Sequence, residues 1–113
     1  MNKNITNVLE ELHNNLEQLT EKSKELEKKK IDLLRENKTA TAALKGMNKA
    51  VGQTEGSKQT IRELEKSAEQ VAIETKQKLK EINQELKKTY VQIKAVEFGI
   101  IEGQLALEFV DDI

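Results

Sequence analysis

Leu9-Glu-Glu-Leu12-His-Asn-Asn-Leu16-Glu-Gln-Leu19 places leucine at steps of three and four. The alternation extends backward to Ile5. Forward it runs through Ser23, Leu26, Lys30, Leu33, Asn37, Ala40, Leu44 and Met47 to Val51. No step slips over that distance. A mean spacing of 3.5 residues falls short of the 3.6 of a straight helix. Such a stripe stays on one side only when the helix supercoils around a partner. Residues 4–51 are therefore expected to form one long helix with a coiled-coil seam. Three successive positions in one register of that seam, Ser23, Lys30 and Asn37, are polar. Polar residues there lower stability and select register or partner, so these three are the candidate specificity residues.

The period breaks where Gly46, Gly52 and Gly56 cluster. Glycine costs about 1 kcal/mol against alanine inside a helix. Ser57 suits a helix N-cap, and Thr60 with Glu63 has the spacing of a capping box. A turn is expected over 52–57 and a second helix over 58–97. Its apolar series reads Ile61, Leu64, Ala68, Val71, Thr75, Leu79, Ile82, Leu86, Tyr90 and Ile93. Paired steps of four in that series drift toward an eleven-residue repeat, which supercoils little or slightly right-handed. A lone helix with one apolar stripe is marginal in water, so each stripe needs a cover. The fold expected is all-α: a long antiparallel two-helix hairpin with coiled-coil packing, paired into a helical-bundle dimer. Leu34, Ile73, Val91 and Val96 lie off the main series and suggest the second buried face of such a dimer.

Residues 98–113 are the most apolar segment. As a helix, Ala95, Gly99 and Gly103 would share a small-residue face that lets another helix approach closely. As strands, 98–101 and 105–109 would flank a Glu-Gly turn, a poorer hairpin turn than Asn-Gly. Both readings are open from sequence, because short apolar runs are ambiguous. Residues 95–113 hold five acids and no base, whereas 22–49 hold nine bases and four acids. One chain's middle could attract another chain's tail. Phe98, Ile100, Ile101, Leu105, Leu107 and Phe109 are the candidate partner-binding residues. Phe98-Gly-Ile-Ile-Glu102 also loosely resembles the aromatic–three–acid tail of small helical-hairpin substrates and accessory proteins of type VII secretion. That resemblance covers five residues and the overall shape. Val51-Gly52-Gln stands where a Trp-x-Gly turn would be, and no family membership is drawn from it.

Composition limits the rest. The chain of 113 residues is one domain's worth, 35% charged, with no Pro, no Cys and three aromatic residues. So few large side chains fill a thin seam rather than a thick core. Lacking cysteine, it has no disulfide framework or thiolate nucleophile. Glu10, His13 and Glu17 share one helix side, but a single histidine makes a weak metal set, and no metal or cofactor is expected. No nucleophile–base pair stands out, so no enzyme is expected. The Leu12, Leu19, Leu26, Leu33 zipper lacks a basic helix before it, and the lysines at 22, 24 and 28–30 are interleaved with glutamates without an aromatic to stack a base. Gly52 to Thr60 lacks the spacing of a phosphate-binding loop. Nucleic acid and membrane partners are not expected, and without an apolar leader the location expected is cytoplasmic, leaderless export being the alternative. The function expected is a non-enzymatic protein-interaction module: adaptor, targeting chaperone, scaffold or inhibitor. Its rivals are a self-assembling structural coiled coil and, more distantly, a nucleic-acid-associated factor.

Overall fold

The computed structural model describes residues 2–50 and 58–111. They form two helices, α1 (Asn2–Ala50) and α2 (Lys58–Asp111), which pack on each other as an antiparallel hairpin. The expected turn at 52–57 and its Ser57 cap lie outside the described residues, as do the side chains of Met47, Val51 and Ile61. Contacts group into two units. One comprises Met1–Glu27 with Gln84–Ile113, the other Lys28–Asn83.

In α1 the seam follows the sequence closely. Every expected seam position from Ile5 to Leu44 is buried or half-buried, and Leu9, Ser23 and Ala40 are the most enclosed. Leucine at helix-compatible spacing, with charged residues between, is sufficient to fix that face.

In α2 the frame differs from expectation. Glu65, Ala68, Ala72, Thr75, Leu79, Ile82, Leu86, Thr89, Ile93, Val96, Ile100, Gly103, Leu107 and Val110 are buried or half-buried, and Val71, Glu97 and Gly99, each beside one of them, are half-buried too. The first fourteen follow steps of three and four in alternation. A heptad frame like that of α1 thus runs through α2; of the expected series Ala68, Val71, Thr75, Leu79, Ile82, Leu86 and Ile93 are enclosed, while Leu64 and Tyr90 are not. The discrepancy arises at neighbouring pairs. Thr89 is wholly enclosed at 0% exposure while Tyr90 is 42% exposed, and Leu64 is exposed beside half-buried Glu65. In each pair hydropathy points to the larger apolar side chain, but the spacing selects the smaller or polar one. A thin two-helix seam has room for threonine where a tyrosine ring would hold the helices apart.

The helix also continues past residue 97. Over 98–111 the chain is helical, so the strand alternative does not apply there. Glutamate, leucine and alanine favour a helix, and the seam runs straight on through Ile100, Gly103 and Leu107. The small-residue face forms in part. A Cβ placed on Gly99 would stand 3.5 Å from Leu12, and one on Gly103 would stand 2.7 Å from Leu9. Glycine at 103 therefore leaves space that the Leu9 side chain occupies. Ala95 is exposed and does not belong to that face. Of the residues assigned to a second face, Val96 lies on the seam, while Leu34, Ile73 and Val91 are exposed.

Among the described residues, the most enclosed side chains are four apolar ones (Leu9, Ala40, Leu86, Ile100) and three hydroxylated ones (Ser23, Thr75, Thr89). Burying so many hydroxyls is tolerable because each donates within its own helix. Ser23 Oγ donates to the Thr20 carbonyl at 2.7 Å, and Thr89 Oγ1 to the Glu85 carbonyl at 2.8 Å. Thr75 Oγ1 donates to the Val71 carbonyl at 2.8 Å. A hydroxyl paired this way carries no unmet hydrogen bond into the seam.

Candidate functional site: the outer face of α2

The heptad frame of α2 decides which side chains of its last turns face away from α1. Phe98 lies two residues from both Val96 and Ile100, roughly 200° around the helix from each. It therefore stands opposite the seam. Leu105 bears the same relation to Gly103 and Leu107. Ile101 and Phe109 follow at steps of three and four, so Phe98, Ile101, Leu105 and Phe109 form one stripe. All four are exposed, between 54 and 72%. Stripes of this spacing are what a helix presents to another helix. The six candidates from sequence thus separate into two groups. Ile100 is buried and Leu107 half-buried, and both belong to the seam. The other four make an outward surface.

Charge accompanies the stripe. Glu102 and Glu108 are exposed along it, and no base occurs from residue 95 onward. Lys94 Nζ lies 3.3 Å from Glu97 Oε2, just before the stripe begins.

The three polar seam candidates behave differently from one another. Asn37 reaches across: its Nδ2 donates to the Ala72 carbonyl at 3.0 Å and to Thr75 Oγ1 at 2.9 Å. Sequence spacing placed Asn37 and Thr75 each on its own helix's seam but did not pair them. Ser23 bonds only locally among the bonds described above. Continuing the Leu9–Gly103 pairing two heptads along puts Ser23 level with Thr89. Lys30 is half-buried, as a lysine is when its methylene stem packs and its ammonium stays wet.

Further cross-helix contacts were not legible in the sequence. The Tyr90 hydroxyl, just beside the seam, donates to Glu27 Oε1. Lys22 Nζ reaches Glu85 Oε2 at 3.7 Å in the same unit, an exposed pair worth under about 1 kcal/mol. The Tyr90 pKa is raised above its ordinary value of 10.0. The Glu27 hydrogen bond is the main cause, followed by partial burial and the carboxylate's charge. The folded state thus favours neutral tyrosine. That contribution to stability is fully present below pH 10.0 and is lost as pH rises through the raised folded value. Tyr90 is the only tyrosine, and there is no tryptophan. Ultraviolet titration of the folded chain should accordingly give a single midpoint above 10.0, and Glu27→Gln should move it back down. A wild-type midpoint at or below 10.0 would contradict the contact.

Other groups singled out from sequence stay apart from any such arrangement. Glu10, His13 and Glu17 are all exposed on α1. Among the described residues, no group of three or more potential ligands is arranged to hold a metal ion. None of the described helices is long and apolar enough to cross a membrane. Unit Lys28–Asn83 carries a shallow open groove lined by Glu36, Thr39, Ala40, Ala43, Ala68 and Val71. No protein-family model matches the chain, and no curated protein or solved structure shows significant similarity to it.

Proposed function

We propose that the chain is a non-enzymatic protein-interaction module that works by helix-on-helix docking. Adaptor, targeting chaperone, scaffold and inhibitor are the roles such a module fills. The observation supporting this is the stripe of Phe98, Ile101, Leu105 and Phe109, set opposite the seam and exposed. An apolar row at helical spacing on an otherwise strongly charged chain is the form a docking face takes. Aromatic side chains dominate the energy of such contacts, and the acids beside them favour partners of opposite charge. A cytoplasmic, dimeric protein is part of the same reading. The lack of cysteine fits a reducing compartment, and a two-helix seam leaves the outer stripe without a cover.

The test is a double variant, Phe98→Ala with Leu105→Ala. Neither side chain contributes to the seam, so helix content and melting should stay close to wild type. Affinity for a partner captured by the wild-type chain should fall by about 30-fold or more, the loss of about 2 kcal/mol typical of anchoring residues. Wild-type affinity in the double variant would remove the stripe as the contact surface.

A further inference from the structure

The outer face of α2 does not begin at Phe98. Lys87, Val91 and Lys94 precede Phe98 by eleven, seven and four residues, spacings that return to the same side of a helix. All three are exposed, Val91 at 69%. A shallow open groove lies among Lys87, Lys88, Val91 and Gln92. From Leu86 to Val96 the chain has three lysines and no acid, and from Glu97 onward it has five acids and no base. One face thus passes from a cationic half holding a groove to an anionic half holding the apolar row Phe98, Ile101, Leu105 and Phe109. Both halves belong to the unit of Met1–Glu27 with Gln84–Ile113. Such a face is complementary to itself when reversed.

We infer that the occupant of the outer stripe is the same face of a second copy of this chain, laid antiparallel. The inference rests on the reading of the stripe as a docking face and names what covers it. A two-fold axis level with Phe98 brings residues 86–96 of each chain against 100–110 of the other. Val91 then stands level with Leu105 of the second copy, and the groove beside it receives Leu105 and Phe109. Lys87 and Lys94 lie along the stretch that holds Glu102 and Glu108. One patch meeting its own copy closes at two chains. At 1.5 Å per residue the paired stretch is roughly 37 Å long. It draws on no residue of the unit Lys28–Asn83. Apolar contact supplies the attraction, and charge sets the direction. A parallel alignment would put lysines against lysines and glutamates against glutamates.

The experiment uses full-length chains. Sedimentation at micromolar concentration should show the wild type as a dimer. One charge-reversed variant carries Lys87→Glu and Lys94→Glu, the other Glu102→Lys and Glu108→Lys. All four positions are exposed, and the Lys94–Glu97 pair lost in the first contributes little, so circular dichroism should show both folded like wild type. Each variant alone should self-associate at least about tenfold more weakly, because like charges then meet at both ends of the contact. Mixing the two should restore a dimer with one of each. Direction is read by disulfides, since the chain has no cysteine of its own. Val91→Cys chains mixed with Leu105→Cys chains should cross-link to each other. Neither should cross-link to itself, because like positions stand fourteen residues apart along the axis, roughly 21 Å, beyond a disulfide's reach. A monomeric wild type, charge variants that dimerise unchanged, a mixture that stays monomeric, or cross-links confined to like variants would each overturn the inference. The docking-face reading fails separately. If the chain is monomeric but the Phe98→Ala, Leu105→Ala variant loses a captured partner, the second copy is excluded and the docking face stands. If the alanine variant alters neither dimerisation nor capture, both fall.

Discussion

Thr89→Lys should lower unfolding free energy by at least about 2–3 kcal/mol, whereas Tyr90→Lys one residue on should cost under about 1 kcal/mol. Thr89 has no solvent exposure. A lysine there must either bury its ammonium or push the helices apart to let it out, and both are costly. Tyr90 sits beside the seam, and its loss removes one hydrogen bond to Glu27 and some ring contact. Chemical denaturation of the two variants measures the difference directly. For a chain of this size, a loss of 3 kcal/mol lowers the melting temperature by roughly 10 °C. Equal costs at the two positions would contradict the heptad frame of α2. Because that frame also sets which residues face outward, the comparison bears on the stripe as well.

The second large effect is expected at Leu86. It is 5% exposed and among the few large apolar side chains enclosed by the seam. Leu86→Ala removes buried methyl groups and leaves a void that two helices close only partly, at a cost of about 2–4 kcal/mol. The same truncation at Leu105, opposite the seam, should leave the isolated hairpin nearly unchanged. Measured at low concentration, where self-association is weak, the contrast separates packing within the hairpin from packing between chains. A loss under 1 kcal/mol at Leu86 would mean that the seam gives way there without forfeiting contact.

The sequence made α1 easy to read because leucine occupies most of its seam and large apolar residues are scarce beside it. In α2 the same rule was obscured. Tyr90 adjoins Thr89 and Leu64 adjoins Glu65, so hydropathy and spacing point to different residues at two levels. Spacing prevails because the seam is narrow and periodic, and a position's angle around the helix decides burial before its chemistry does. The tail shows the same division. Its apolar character was plain, but the sorting of Ile100 and Leu107 inward and of Phe98, Ile101, Leu105 and Phe109 outward needs the correct frame. The Asn37–Thr75 bond joins residues 38 apart in the chain. Neither partner's local sequence carries a sign of the other, so only the paired helices reveal it.

The inward-turned hydroxyls bear on how this chain can change over generations. Where a serine or threonine donates to its own helix, as Ser23 and Thr89 do, the neighbouring helix meets little more than a small alkyl surface. Exchange among Ser, Thr, Ala and Val at such levels leaves the backbone acceptor with its helical N–H partner. Those substitutions are close to neutral and can accumulate without moving either helix. Thr75 is held more tightly, because its oxygen also receives the Asn37 amide. Related hairpins are thus expected to drift at levels 23 and 89 while levels 37 and 75 change together. A pair of that kind records shared ancestry longer than the leucines around it, which any coiled coil would possess.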